Sequence, residues 1–408
     1  MATPQSGPVS AIGMAPETTA KYVPITGGSN PRTFGTASTN PARFFIVNPG
    51  SGIVPTAITQ VPTEIDGNIE RIRHFMTGAT YQGEVSGFVD TEEIAYILMG
   101  VFGRCVQTTA QAADSTHSVA YKKVHTPNLK CPTFSVEEVF GDGTYGRLTS
   151  GVVVQSLTIN LGDMLTWRAG LQGMRQVPNT FLSGGTETEY DYGSTAMTIP
   201  TDMGGDGSKT LIRTASPSYV TGAQGNHGNT QLAFAGQKYG AESGFSSAYV
   251  TIDGTGFTTN DFLPGGSITI TREVEFGMAA GSGRNPEAFC TRSVSINGQL
   301  RFTFQDNTLP KALLGHKKGA VNAKWEGSQI GTSGVNYGLE LHIPNARFNR
   351  SPVVAEAGCI TVTADIDAIY DSTSAYGVKL TTWDSFNTAS LGCVTGTYSG
   401  YLGGWVNS

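Results

Sequence analysis

Charge is what this sequence has least of. Asp, Glu, Lys and Arg make up 14% of its 408 residues, against roughly 25% in an average chain. With 38% hydrophobic and 9% aromatic residues, the shortage does not signal disorder, which needs high net charge and few apolar groups. Basic runs are missing too: the densest cluster is His316-Lys317-Lys318, the net charge is −6 and the pI is about 5.6. That excludes the basic footprint of a protein that grips DNA by sequence, and leaves a surface that DNA can pass without sticking. No apolar run is long enough to span a bilayer, and Met1 to Ala20 has neither the basic nor the apolar region of a signal peptide. Cysteine is scarce and odd in number: Cys105, Cys131, Cys290, Cys359 and Cys393. Their wide spacing argues against a disulfide framework or zinc knuckle and fits a reducing cytoplasm.

Catalytic and metal patterns are also lacking. The six histidines, His74, His117, His125, His227, His316 and His342, form no H-x-H or H-x-x-x-H pair with metal spacing. No G-x-S-x-G elbow occurs, and Cys131 near His125 is a weak pair without further context. Gly141 to Gly146 fits G-x-G-x-x-G, but a strand and not a helix follows it, so it reads as a hairpin loop. In Gly204-Gly205-Asp206-Gly207-Ser208-Lys209-Thr210, Ser208 stands where a phosphate loop needs glycine, and the segment reads as a surface turn. Asp365 and Asp367, with Asp371 nearby, lie on one face of an alternating strand, which reads as a solvated face. Lining a channel, these acids would repel phosphates. The sequence therefore offers no catalytic, cofactor-binding or metal-binding residues.

What is abundant is glycine, 53 of 408 residues, against roughly 7% on average. A surface of Gly, Ser, Thr and Asn is unusual for a free monomer, which uses charge for solubility, and it implies burial in an assembly. Period-two alternation recurs. Val153, Gln155, Leu157, Ile159 and Leu161 share one strand face. So do Val294, Ile296, Gly298, Leu300, Phe302 and Phe304; Ile268, Ile270, Val274 and Phe276, interrupted by Arg272; and Ile360, Val362, Ala364, Ile366 and Ala368. Two helices are expected. One starts at Asp90, with Glu93 at capping-box spacing, carries Ile94, Ile97, Leu98 and Val101, and stops at Gly103. The other follows Asp306-Asn307, carries Pro310, Ala312, Leu313 and Leu314, and stops at Gly315.

These helices mark an internal repeat. Each follows a long glycine-bearing strand and is followed by strands over 133–140 and 152–161, or over 337–343 and 359–370. The order strand–helix–strand–strand predicts a mainly β protein of two tandem units, 40–176 and 251–383, each a β-barrel or sandwich with one flanking helix. Outside them lie an extended arm (1–39), a Gly-rich surface insertion (177–250) with Tyr190, Tyr192, Tyr219, Tyr239 and Tyr249, and an aromatic tail (384–408).

This order, the opening Ile12-Gly13-Met14-Ala15-Pro16-Glu17-Thr18-Thr19, the core-strand phrase Gly151 to Ile159 and the strand–helix unit from Gly83 to Gly103 resemble the major tail tube protein of long-tailed bacteriophages, over about residues 12–383. The resemblance implies a non-enzymatic structural subunit of the virion tail, assembled in the host cytoplasm. Its strands would join neighbouring subunits in a barrel, its rings would stack around a tape-measure protein, and viral DNA would pass through the lumen. Tail-tip and tail-terminator proteins are further implied partners. Because the unit occurs twice, a trimeric ring with pseudo-sixfold symmetry is expected, with a hexamer as the alternative. The helices would cover the outside of the barrel, burying Ile94, Leu98, Leu309 and Leu313, and the insertion would point outward. A carbohydrate-binding or adhesin-like virion protein is the competing reading, motivated by the scattered tyrosines. A glycosidase would need two convergent carboxylates, and none are singled out.

Overall fold

The computed structural model describes residues 9–16, 43–60, 75–180, 248–303, 318–385 and 394–395, apart from short breaks within these spans, together with 188–190, 196–198 and positions 311 and 314. In chain order the elements begin with β1 (Val9–Pro16), β2 (Arg43–Phe45), β3 (Gly52–Gln60) and β4 (Phe75–Phe88). Helix α1 (Thr91–Phe102) follows, then β5 (Gly103–Gln111), β6 (Ala120–Pro127), β7 (Phe134–Phe140), β8 (Tyr145–Leu161), β9 (Leu165–Gly173) and β10 (Arg175–Thr180). A short hairpin, β11 (Thr188–Tyr190) with β12 (Ala196–Thr198), lies in the insertion. The second half holds β13 (Ala248–Ile252), β14 (Thr255–Thr258), β15 (Phe262–Gly277), β16 (Ala288–Thr303), β17 (Lys318–Gln329), β18 (Asn336–Arg350), β19 (Val353–Glu356), β20 (Cys359–Ala368), β21 (Lys379–Asp384) and β22 (Val394–Thr395). The protein is mainly β: all strands but β11 and β12 join one network, antiparallel except for the β22–β5 pair.

Long strands knit the network together by changing partners along their length. The first part of β8 pairs with β7 and β10, the last part with β9 and β15. Between the two parts lies Gly151 at φ +64, a conformation that L side chains rarely adopt. β18 divides in the same way: β21 pairs along its first part and β20 along its last, while β17 flanks it on the other side.

The core lies between two layers, with α1 inside it. The helix packs against β8, β15, β5, β6, β18, β21 and β2. Ile94, Tyr96, Ile97, Leu98, Val101 and Phe102 are all sealed from solvent, as befits a helix apolar on every face. The expected cap is present: Glu93 N–H donates to Asp90 Oδ1 at 3.3 Å. Gly103 follows at φ +77, the left-handed stop that favours glycine. So α1 is an interior helix and not an outer cover, although Ile94 and Leu98 are buried as expected. Of the second expected helix only Lys311 and Leu314 are described, both helical, and Leu314 is exposed; Leu309 and Leu313 fall outside the described residues.

Several sequence expectations need correction. In β8 the alternating face is broken by a bulge between Val154 and Ser156. Val152 and Val154 join the core before it, Leu157, Ile159 and Leu161 after it. Gln155 is the extra residue, because a bulge resets the period of two. Ile360, at the start of β20, is exposed, whereas Val362, Ala364 and Ile366 are buried. The arm is not wholly extended loop: β1 pairs with β2 and β7 and sends Ile12 and Met14 into the core. Arg272, the interruption in the β15 pattern, is itself buried on the core face. Its Nε donates to Val101 O at 2.7 Å, in the last turn of α1, and its Nη2 to Asn128 O at 2.8 Å, so the guanidinium satisfies carbonyls that a helix end leaves open. Cys105 is disulfide-bonded, which the spacing argument did not anticipate.

Candidate assembly surface

The residues raised as possible catalysts are dispersed or inert. Cys131 is a buried thiol, pushed up to about 11 by burial, the wrong direction for a nucleophile. His125 is sealed between layers and held down at about 3, first by burial and then by the charge of Lys123. Lys123 in turn pairs with Asp384, both fully buried, joining β6 to β21. The Ser374 N–H, donating to Asp371 Oδ2 at 2.7 Å, holds that carboxyl below its usual range. Phe140 pairs with Tyr145 across the Gly141–Gly146 motif, and β8 follows it, so this is a hairpin. The Gly204–Thr210 turn, His74, His117, His227, His316, Tyr192, Tyr219 and Tyr239 lie outside the described residues. Among the described residues no group of three acidic, histidine or cysteine side chains gathers as a metal site, and no helix is long and apolar enough to cross a membrane.

What the fold does build is a broad sheet face. Strands run side by side in the order β3, β4, β9, β8, β15, β16, β20, with β18 and β19 beyond β20. One face of this run meets the core. The other carries polar residues in register across the strands. One row passes through Ser86, Arg168, Thr158, Thr269, Asn297, Asp367 and Arg347. The next passes through Thr166, Asn160, Ser267, Gln299 and Asp365. Hydrogen bonds link neighbours: Thr158 Oγ1 to Thr269 Oγ1 at 3.1 Å, Asn160 Nδ2 to Thr166 Oγ1 at 3.2 Å, and Gln299 Nε2 to Asp365 Oδ1 at 2.8 Å. Asp367 accepts from Asn349. Charges come in opposite-sign neighbours, Glu84 with Arg168 and Glu275 with Arg292. The Asp365–Asp367 pair thus sits on the face opposite Ile366, as the alternation predicts, but engaged by amides and not as a bare acidic patch.

The outermost strand, β3, has one sheet neighbour, β4, among the described residues. At Ile53 its outward backbone groups are met by side chains. Ile53 N–H donates to Glu138 Oε1 at 2.8 Å, and Gln176 Nε2 donates to Ile53 O at 3.1 Å. Glu138 also accepts from Arg147 at 3.1 Å. Burial raises its carboxyl, with Arg147 and the Ile53 N–H pulling the other way. Beyond this point Val54, Pro55, Thr56, Ala57 and Ile58 are exposed. No sequence signal marked this edge, because a stand-in between Glu138 and Ile53 spans 85 positions.

The fold thus defines a class: a mainly β protein built on an extended antiparallel sheet with a polar outer face and an exposed edge strand. Residues 7–368 match the family described as phage tail tube protein, and the chain belongs to that family. It is a structural protein of the phage tail tube, not an enzyme, and its place is the virion tail. No curated protein matches it significantly.

Proposed function

We propose that the chain is a tandem duplication that closes three to a ring, with pseudo-sixfold symmetry, and that the polar sheet face lines the lumen through which viral DNA travels. The observation that carries this is a repeated register. Gly83 pairs with Ile53 and Leu171, and Gly298 with Ile268 and Ile366. The bulge between Val154 and Ser156 has a counterpart between Phe348 and Arg350, and that between Phe134 and Val136 a counterpart between Gly319 and Val321. On this reading β3, β4, β9 and β8 correspond to β15, β16, β20 and β18–β19, while β7 corresponds to β17. Spacing in the sequence instead aligns 133–140 with 337–343, one strand later. The units centre on 40–176 and 251–383, each also drawing in the strand before it, β1 or β13.

The β8–β15 ladder joins the two units within one chain. Three chains then supply a wall of about twenty-four strands, wide enough to leave an aqueous channel, since barrel diameter grows with strand number. A face of hydroxyls, amides and paired charges offers phosphates little to hold, because nucleic-acid affinity comes chiefly from unpaired Lys and Arg. Both ends of the 177–250 insertion lead from β10 and β13, which pair with the first part of β8 and with β17, outside the run of strands that carries the polar rows, and this favours an outward insertion. Stacked rings around a tape-measure protein, capped by tail-tip and terminator proteins and assembled in the host cytoplasm, complete the reading. Electron microscopy or native mass spectrometry of tubes tests it. Three chains per ring are expected; six chains, or the insertion inside the lumen, would overturn it.

A further inference from the structure

We infer that β3 receives the strand edge at Arg350, Val353 and Val354 of a second copy of this chain, in a register dictated by the internal β8–β15 ladder, and that Glu138 and Gln176 hold that place until the second copy arrives. The inference rests on the tandem reading above. Within the chain, Ile268 lies opposite Ile159 and Thr271 opposite Ser156. The counterpart of Ile268 is Ile53, and the bulge following Phe348 makes Arg350 the counterpart of Ser156. Val362 lies opposite Val353 as Trp167 lies opposite Ile159, so the alignment keeps step beyond the bulge. Carried across, Ile53 meets Val353 of the second copy and Thr56 meets its Arg350.

The chemistry at Ile53 says what this edge accepts. A carboxylate oxygen takes the place of a strand carbonyl, and a primary amide takes the place of a strand N–H. Both stand-ins keep another partner when displaced: Gln176 also donates to Thr149 Oγ1 at 2.9 Å, and Glu138 remains with Arg147. Displacement therefore leaves neither a buried donor nor a buried charge stranded. The free subunit is spared edge-to-edge aggregation by the same device, helped by Pro55, which offers no N–H.

The test uses the full chain with exposed Cys290 replaced by serine. Thr56→Cys with Arg350→Cys puts two thiols at a directly opposed, non-hydrogen-bonded pair, whose Cα separation suits a disulfide. Mild oxidation of assembled rings should give a covalent ladder that ends at three chains. The pair Thr56→Cys with Val353→Cys, out of register and on the other face, should stay monomeric on a non-reducing gel. A ladder ending at six keeps the junction and overturns the trimer. Intact three-chain rings without cross-links, or equal cross-linking of both pairs, overturn the junction alone. Hydrogen exchange on the unmodified chain removes dependence on the variants. The Ile53 amide should be protected before and after assembly, while the Ala57 amide should gain protection only in rings; no gain over 54–58 overturns the inference.

Discussion

Gly87 and Trp167 lie opposite each other on β4 and β9, and Phe302 and Val362 lie opposite each other on β16 and β20. In the tandem register proposed above these are the same pair of positions. One half puts its bulk on the third strand of the run and a glycine on the second; the other puts a phenylalanine on the second and a valine on the third. All four positions are buried. Cores tolerate exchange when total volume is kept, so on that proposal two halves with little similarity of sequence would build the same layer. The comparison also shows where they diverge. Trp167 Nε1 donates to Phe88 O at 2.9 Å, and its ring meets Phe45 edge-on at 6.1 Å, contacts that Val362 has no atoms to make.

The largest expected effect breaks that exchange of volumes. Trp167→Val should destabilise the subunit by about 3 kcal/mol or more, as large-to-small core substitutions do, and Gly87→Phe by about 1–3 kcal/mol through overpacking. If the two halves solve the same packing problem, the double variant regains part of the loss, with a coupling of about 1 kcal/mol or more. Urea unfolding of the subunit, kept below its polymerisation concentration, measures all three. Strict additivity would mean that the positions are not interchangeable.

A second contrast sits at Arg272 and Ala57, which hold corresponding places on β15 and β3 in the proposed register. Arg272 reaches inward to Val101 O, Asn128 O and Leu129 O. Ala57 is exposed on the strand edge. Arg272→Met should cost about 1–3 kcal/mol for each carbonyl left dry and fray the end of α1, whereas Ala57→Met should change unfolding by no more than about 0.5 kcal/mol. Hydrogen exchange at 99–103 reads the fraying. An Arg272→Met subunit as stable as its parent would remove the guanidinium from any structural role.

Much of this was legible in the sequence because it is local. The α1 cap and stop follow from Asp90, Glu93 and Gly103, and the apolar faces of β15, β16 and β20 follow from alternation. The proposed repeat starts from helix and glycine spacing in the sequence, whereas its proposed strand alignment starts from registers and bulges that spacing does not carry. A bulge such as that after Val154 shifts a face without leaving any mark in composition, so spacing and register propose different strand alignments. Arg272 read as an interruption, since its partners lie 143 to 171 positions away. The edge of β3 was invisible for the same reason: Glu138 and Gln176 become neighbours of Ile53 only once three separate strands are folded. What the sequence did carry was the shortage of charge, which the polar rows across the sheet now account for with threonine, serine, asparagine and glutamine.

The smallest effect distinguishes the internal junction from the one between copies. At the internal junction Thr158 and Thr269 face each other through hydroxyls 3.1 Å apart. In the proposed register the counterpart of Thr269 on β3 is Val54, a valine 56% exposed amid a polar face. At the proposed junction between copies, an apolar side chain in that place would be idle in the free subunit and buried in a ring. Val54→Thr should therefore leave subunit unfolding within about 0.5 kcal/mol of the parent. It should raise the critical concentration for assembly, because losing one buried methyl-sized contact costs about 0.8 kcal/mol, or roughly four-fold per contact. Val54→Asp should raise it further. Light-scattering onset over a concentration series reads both, and an unchanged onset with Val54→Asp would place Val54 away from any contact between copies, leaving Thr158 and Thr269 without a counterpart.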